Sequence, residues 1–171
     1  MSDVNVVPDM IADPSAFEDD AAFRLKAAQA AIRSECGWHV MPNTALSGVL
    51  NTRGGTVIRL PARHVTSIES LTDRQGNKLA YAYDPETGLV ESLSGGFPAG
   101  IAAIRYEIHA GYDDAPDVQS VLISAAKRAG MSPVGLVTSQ STNGSSASFD
   151  VVSLMQEEKD KLKPYRLGGL P

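Results

Sequence analysis

The sequence predicts an α+β protein: a helical core, an antiparallel β domain inserted between its two main helices, and an extended C-terminal docking tail. Three observations predict it. An alanine-rich stretch with helical spacing ends at Gly37. Residues 38–112 break into short apolar runs separated by turn residues. Ile104 to Arg128 then joins an alternating strand to a second helix through Gly111-Tyr112, an acidic turn and Pro116.

Taken in order, residues 1–18 hold Pro8, Pro14 and many acids, and form an acidic N-terminal arm. The main body spans 19–133. Its first helix, 19–36, starts at Asp19-Asp20, where carboxylates favour the positive end of the helix dipole. Ala21, Leu25, Ala28 and Ile32 recur at helical spacing, and so do Phe23, Ala27 and Ala30. Apolar residues thus cover more than half of its circumference, which fits a helix covered on two sides. Gly37 suits the position just past the helix end.

The β insert, 38–112, contains expected strands at Trp38–Met41, Leu46–Asn51, Thr56–Leu60, Val65–Leu71, Leu79–Tyr83, Leu89–Leu93 and Ile101–Ala110. In Val65–Leu71, Ile68 is expected inward, and Val65, Ser67, Glu69 and Leu71 on the opposite set. In the last strand Ile104, Tyr106 and Ile108 share a face. Turn signals every 8–12 residues point to a compact antiparallel sheet or small sandwich. The second helix, 116–130, opens on Pro116, whose missing N–H costs nothing there. Val118, Leu122, Ala125 and Ala129 form its stripe, and Lys127 and Arg128 suit its negative end.

Residues 134–149 turn to Ser, Thr, Gly and Gln, the composition of a flexible linker. The C-terminal docking segment is 150–171. Ser153 reads as a helix cap with Gln156 as its capping-box partner, ahead of a helix at Leu154–Lys163. Ten residues make only about 15 Å of helix, too short to stand alone in water. It needs a surface. Either it folds back on its own domain or it docks on another chain, and a 16-residue linker reaches up to about 50 Å. Leu154, Met155, Leu162, Tyr165, Arg166 and Leu167 are the candidate docking residues, since Tyr and Arg make good interface anchors. Phe23, Ala27, Ala30, Leu122 and Ala126 are the candidates for packing between subunits.

Composition limits the function. The net charge is −5, while residues 1–20 carry six carboxylates and no base, so the rest of the chain is close to neutral. The basic footprint of a tight nucleic-acid binder is absent. Cys36 is the only cysteine, which excludes an internal disulfide, and it reads as a small apolar residue near a helix end. No secretory signal and no apolar run near 18 residues is present, so synthesis in the cytoplasm and no membrane partner are expected.

No catalytic constellation is expected either. Ser124-Ala125-Ala126-Lys127 has the spacing of a Ser-x-x-Lys nucleophile, but the companion motifs of that chemistry are missing. His39, His64 and His109 form no ligand spacing and read as strand-surface residues. Asp113, Asp114 and Asp117 lack the spacing of a calcium loop and read as an acidic helix start. Gly95 to Gly100 is a loop without the Lys-Ser/Thr of a phosphate cradle. The reading is therefore a non-enzyme without cofactor or metal.

Several pieces in order carry a resemblance. They are Ala31 to Trp38; Ile58-Arg59-Leu60-Pro61 with Val65-Thr66-Ser67-Ile68 and the Asp73–Leu79 turn; Tyr106 to Tyr112 with Pro116; and the Ser153-capped tail ending Leu162 to Arg166. Over about Phe17 to Leu167 the chain resembles the head-to-tail connector (adaptor) proteins of long-tailed double-stranded DNA bacteriophages. That resemblance implies a structural virion protein made in a bacterial host. It implies a ring of copies, usually twelve-fold, between the capsid portal protein and the downstream neck, stopper or tail protein. The ring extends a channel through which double-stranded DNA passes without tight binding, and the C-terminal segment embraces the portal. The alternatives are a tail-completion or other virion assembly protein, and a small hydrolase or lyase on a β scaffold.

Overall fold

The computed structural model describes residues 21–130 and 153–168; the expected arm, 1–18, and linker, 134–149, lie outside them. The elements run α1 (Ala21–Cys36), β1 (Thr44–Thr52), β2 (Val57–Arg59), β3 (Val65–Asp73), β4 (Tyr81–Asp84), β5 (Leu89–Ser92), β6 (Gly100–Ala110), α2 (Pro116–Gly130) and α3 (Gln156–Leu162), with a 3₁₀ turn at Lys163–Tyr165. This is a mixed α+β fold with antiparallel sheets. Its described residues fall into two compact units. A β unit holds Cys36–Ala115 and residues 165–168, and a helical unit holds 21–35, 116–130 and 153–164.

The β unit contains two three-stranded antiparallel sheets, ordered β1-β6-β3 and β2-β5-β4. β6 is central in the first because its alternation lets one face bury Ile104 and Ile108 while Arg105, Glu107 and His109 stay exposed. Val90 and Ile58 are the buried positions of the second sheet.

β3 departs from simple alternation. Two register shifts, between Val65 and Ser67 and between Ile68 and Ser70, make Val65, Ile68 and Leu71 the partners of Ala110, Ile108 and Tyr106. Each bulge inserts one residue and flips the parity of the residues after it. Hence Val65 and Leu71 share the inward face with Ile68, instead of standing opposite it.

Trp38–Met41 forms no strand. Gly37 has φ +79 and Val40 φ +65, and backbone turned into that region cannot stay extended. The segment is nonetheless core, with Trp38, Val40 and Met41 all buried. At Gly111, φ is +120, and a Cβ there would stand 2.8 Å from His39 Nε2 and closer still to the Pro42 carbonyl oxygen. Only glycine fits where β6 leaves the sheet.

In the helical unit α1 buries Ala21, Leu25, Ala28, Gln29 and Ile32, one stripe at spacings of three and four. α2 has the bounds its sequence signals predict. It buries Val118, Val121, Leu122, Ala125 and Ala126, a wider band than the expected stripe, while Ala129 is only half-buried. Arg24, near the start of α1, lies against Gly130 at the end of α2. α3 packs on α2.

Candidate interaction surfaces

The C-terminal segment is anchored by two separate sets of contacts. In the helical unit, Arg128 on α2 makes a two-pronged ion pair with Glu158 on α3. Nη1 donates to Oε1 at 2.8 Å and Nη2 to Oε2 at 2.8 Å. Nη2 also donates to the Ser153 carbonyl at 2.9 Å. Glu158 Oε2 accepts the Met155 backbone N–H at 2.8 Å. The capping partner is therefore Glu158, three residues after Met155, and the helix opens two residues later than a Ser153 cap would set it. Burial acts to raise the Glu158 carboxyl, but the Arg128 guanidinium, the Met155 N–H and the Lys161 charge outweigh it and hold it below its ordinary value. Leu162, one turn beyond, is fully buried.

In the β unit, residues 165–168 lie along the turn after α1. Leu167 N–H donates to the Cys36 carbonyl at 2.7 Å, and Trp38 Nε1–H to the Tyr165 carbonyl at 2.6 Å. Arg63 Nη1 donates to the Arg166 carbonyl at 3.2 Å. The Tyr165 ring meets Tyr112 edge-on at 5.4 Å; Tyr112 in turn stacks on His64 at 4.3 Å and leans on Trp38 at 6.2 Å. Edge-on and offset pairs of this kind match the ring quadrupoles. Burial first, with the Glu86 charge behind it, pushes the Tyr112 hydroxyl upward despite Arg63.

The candidate docking residues are thus spread over both sets. Leu162 is fully buried; Leu154, Tyr165, Arg166 and Leu167 are half-buried; Met155 is 54% exposed. Of the candidate subunit-packing residues, Phe23 is 63% exposed, Ala30 is exposed and Ala27 half-buried. With positions three and four apart they form one stripe of α1, away from its buried one. Leu122 and Ala126 are both buried within the chain itself.

Two of the three histidines differ from the expected strand-surface placement. His39 is buried, with Nε2 2.9 Å from the Ala110 carbonyl and 3.1 Å from that of Pro42, which requires the proton on Nε2. His64 precedes β3 and carries its ring on Tyr112. His109 is on the exposed face of β6. Among the described residues no group of three or more His, Cys, Asp or Glu is placed to hold a metal, and no helix is long and apolar enough to cross a membrane.

Sequence reasoning missed the Arg128–Glu158 pair, having given Arg128 only to the helix dipole. It also missed the cluster of Trp38, His64, Tyr112 and Tyr165. A signal existed for the first: Glu158 is the N3 acid of a short helix, and an acid there looks back to the cap. No signal existed for the second, whose members share no spacing.

No family model matches the sequence, and no curated protein matches it. Solved structures do. The chain is similar to one from the neck of an empty GTA particle computed with C6 symmetry, at TM-score 0.59 and 17% identity, covering 91% of this chain and 83% of that one. It is similar to one from the neck of a native GTA particle computed with C12 symmetry, at TM-score 0.60 and 15% identity, covering 92% and 87%. A third is from the virion of a native gene transfer agent particle, at TM-score 0.57 and 18% identity, covering 91% and 81%. At these identities what is shared is the fold, across nearly the whole chain.

Proposed function

We propose that this chain is a structural, non-enzymatic neck protein of a phage-like particle. In this reading copies form a ring, of about twelve by the C12 symmetry of the similar neck. The ring joins the capsid portal to the next connector, stopper or tail protein and extends the channel for double-stranded DNA. The observation that carries it is the likeness of fold, over nine-tenths of the chain, to chains in structures of particle necks.

The surfaces fit such a role. Met155 and the half-exposed sides of Leu154, Tyr165, Arg166 and Leu167 are offered to the portal, while Leu162 fixes α3 to its own unit. Phe23, Ala27 and Ala30 are offered to the neighbouring copy. The exposed Phe23 is the kind of large apolar side chain that repays burial, at about 1.5–3 kcal/mol.

Electron microscopy of the purified chain mixed with the portal protein of its own genome tests the reading. A ring seated on the portal is the expected image. Met155→Asp should abolish capture without lowering the melting temperature of the free chain. Phe23→Ser should leave capture but prevent ring closure. Failure of the unaltered chain to associate with the portal would refute the assignment.

A further inference from the structure

Four cations from three separate segments of the chain come off one corner of the β unit. In the sheet β1-β6-β3, Val49, Arg105 and Thr72 are direct partners in one row, and an isolated bridge places Lys78 beyond Thr72. Paired residues point to the same side of a sheet. That side faces solvent, since Val49, Arg105 and Lys78 are exposed while Ile104 and Leu71, on the other side, are buried.

Arg74 opens the turn that follows β3, and its guanidinium donates to the Ile101 carbonyl beside Gly100, at the end where β6 begins. Arg53 follows Thr52, whose partner is Gly100, so it leaves the sheet at the same end. Strand spacing puts Arg105 and Lys78 about 10 Å apart.

The acid at this corner is withdrawn from it. Asp73 is partnered with Ile104 on the opposite side, and its carboxylate accepts the Asn77 side chain and the Gln75 and Asn77 amides. Glu107 is on the same side as Arg105, one row along β6 and about 7 Å away, opposite Ser47 and Ser70, so the corner holds four cations against one carboxylate at its border. Arg53, Lys78 and Arg105 have no ion pair among the described residues. In a chain of net charge −5 this corner reverses the sign.

We propose that this corner is the part of the subunit that touches the phosphates of duplex DNA, an inference that rests on the neck-channel reading above. The chemistry is general: ammonium and guanidinium groups pair with phosphate without reading bases. Three or four contacts keep the affinity of a single copy low, because affinity scales with the number of phosphates neutralised, and contacts that read no bases let a duplex slide. Repeated around a ring they centre a duplex that still slides. With three contacts, binding should weaken about twentyfold between roughly 50 and 150 mM salt, from a slope of about −0.9 per phosphate.

The test is a titration of the full ¹⁵N-labelled chain with a short blunt DNA duplex at low salt, followed by amide and arginine side-chain shifts. Shifts centred on Arg53, Arg74, Lys78 and Arg105 are expected. The triple substitution Arg74→Gln, Lys78→Gln, Arg105→Gln should remove them with the remaining spectrum unchanged. The matched control Lys26→Gln, Lys127→Gln, Lys161→Gln should leave them. Shifts centred elsewhere, no shifts at all, or equal loss in the control overturns the proposal. So does a polyglutamate probe that moves the corner more strongly than the duplex, since that marks an acidic protein contact.

Portal capture separates this failure from that of the neck reading. Capture with an unmoved corner refutes the DNA contact alone. DNA shifts at the corner in a chain that never captures portal refute the neck reading and leave the phosphate contact standing.

Discussion

α3 and residues 165–168 are neighbours in sequence, yet they are held by different physics. α3 is held by side chains: a buried leucine and a carboxylate that is both ion-paired and used to cap its own helix. Residues 165–168 are held through the backbone, their carbonyls and one N–H meeting a tryptophan, an arginine and the Cys36 carbonyl. The first anchorage depends on residue identity and on pH. The second rests chiefly on main-chain hydrogen bonds, with the Tyr165 ring edge-on to Tyr112 as a side-chain contribution. Tyr165, Arg166 and Leu167 are thus both anchored and half-exposed.

The sharpest way to break the comparison is at Leu162. Leu162→Ala removes a fully buried side chain and leaves a cavity, at a cost of about 2–5 kcal/mol. Thermal or urea denaturation should show it as a loss of global stability. An unchanged midpoint would mean that α3 contributes nothing to the fold. Glu158→Gln comes next. It keeps the shape but leaves Arg128 without its countercharge and weakens the cap, for about 1–3 kcal/mol. Protease digestion should cut the variant ahead of α3 well before the parent chain is cut.

Acid probes the same pair without a mutation. Glu158 has its carboxyl lowered in the fold, so it binds fewer protons folded than unfolded. Its contribution is therefore complete above the unfolded value of about 4.3 and is lost as pH falls through the lower folded value. Melting temperature should decline below about pH 4.5 more steeply in the parent chain than in Glu158→Gln. Parallel acid profiles would show that the pair adds no linkage. Asp73 and Asp84 are lowered as well, chiefly by the Asn77 and Thr87 side chains. Both lie at the surface, and they form the shared background of the two profiles.

How far each element could be read from the sequence depends on whether its cause is local. α2 could be bounded to the residue because Pro116, the apolar spacing and the terminal cations all act within one helix. β6 could be read because its alternation is unbroken from Ile104 to Ala110. β3 could not, since two bulges cancel each other over its length and leave only the middle out of phase. Trp38–Met41 alternates like a strand but is bent by its backbone. The exposed stripe of Phe23, Ala27 and Ala30 was readable as a second apolar face. The burial of Leu122 and Ala126 was not, because how wide a band α2 hides depends on what packs around it. The corner of Arg53, Arg74, Lys78 and Arg105 exists only once strand order is known.

The smallest effect, and the one that isolates the backbone anchorage, is at Trp38. Trp38→Phe keeps an aromatic ring in a buried position and removes the indole N–H, whose partner is the Tyr165 carbonyl at 2.6 Å. The lost hydrogen bond costs about 0.5–1.5 kcal/mol, with a further contribution from the smaller ring. Nearly all of it should appear locally. Hydrogen exchange at Leu167, whose N–H is bonded to the Cys36 carbonyl, should speed up by about tenfold for each 1.4 kcal/mol lost. Exchange within α3 should stay as it was, because the Arg128–Glu158 pair and Leu162 are untouched. If α3 loosens together with Leu167, the two anchorages are one cooperative element and the distinction between them fails. If neither moves, the Trp38 bond is incidental, and the Leu167–Cys36 bond with the Arg63 contact suffices to hold the end of the chain.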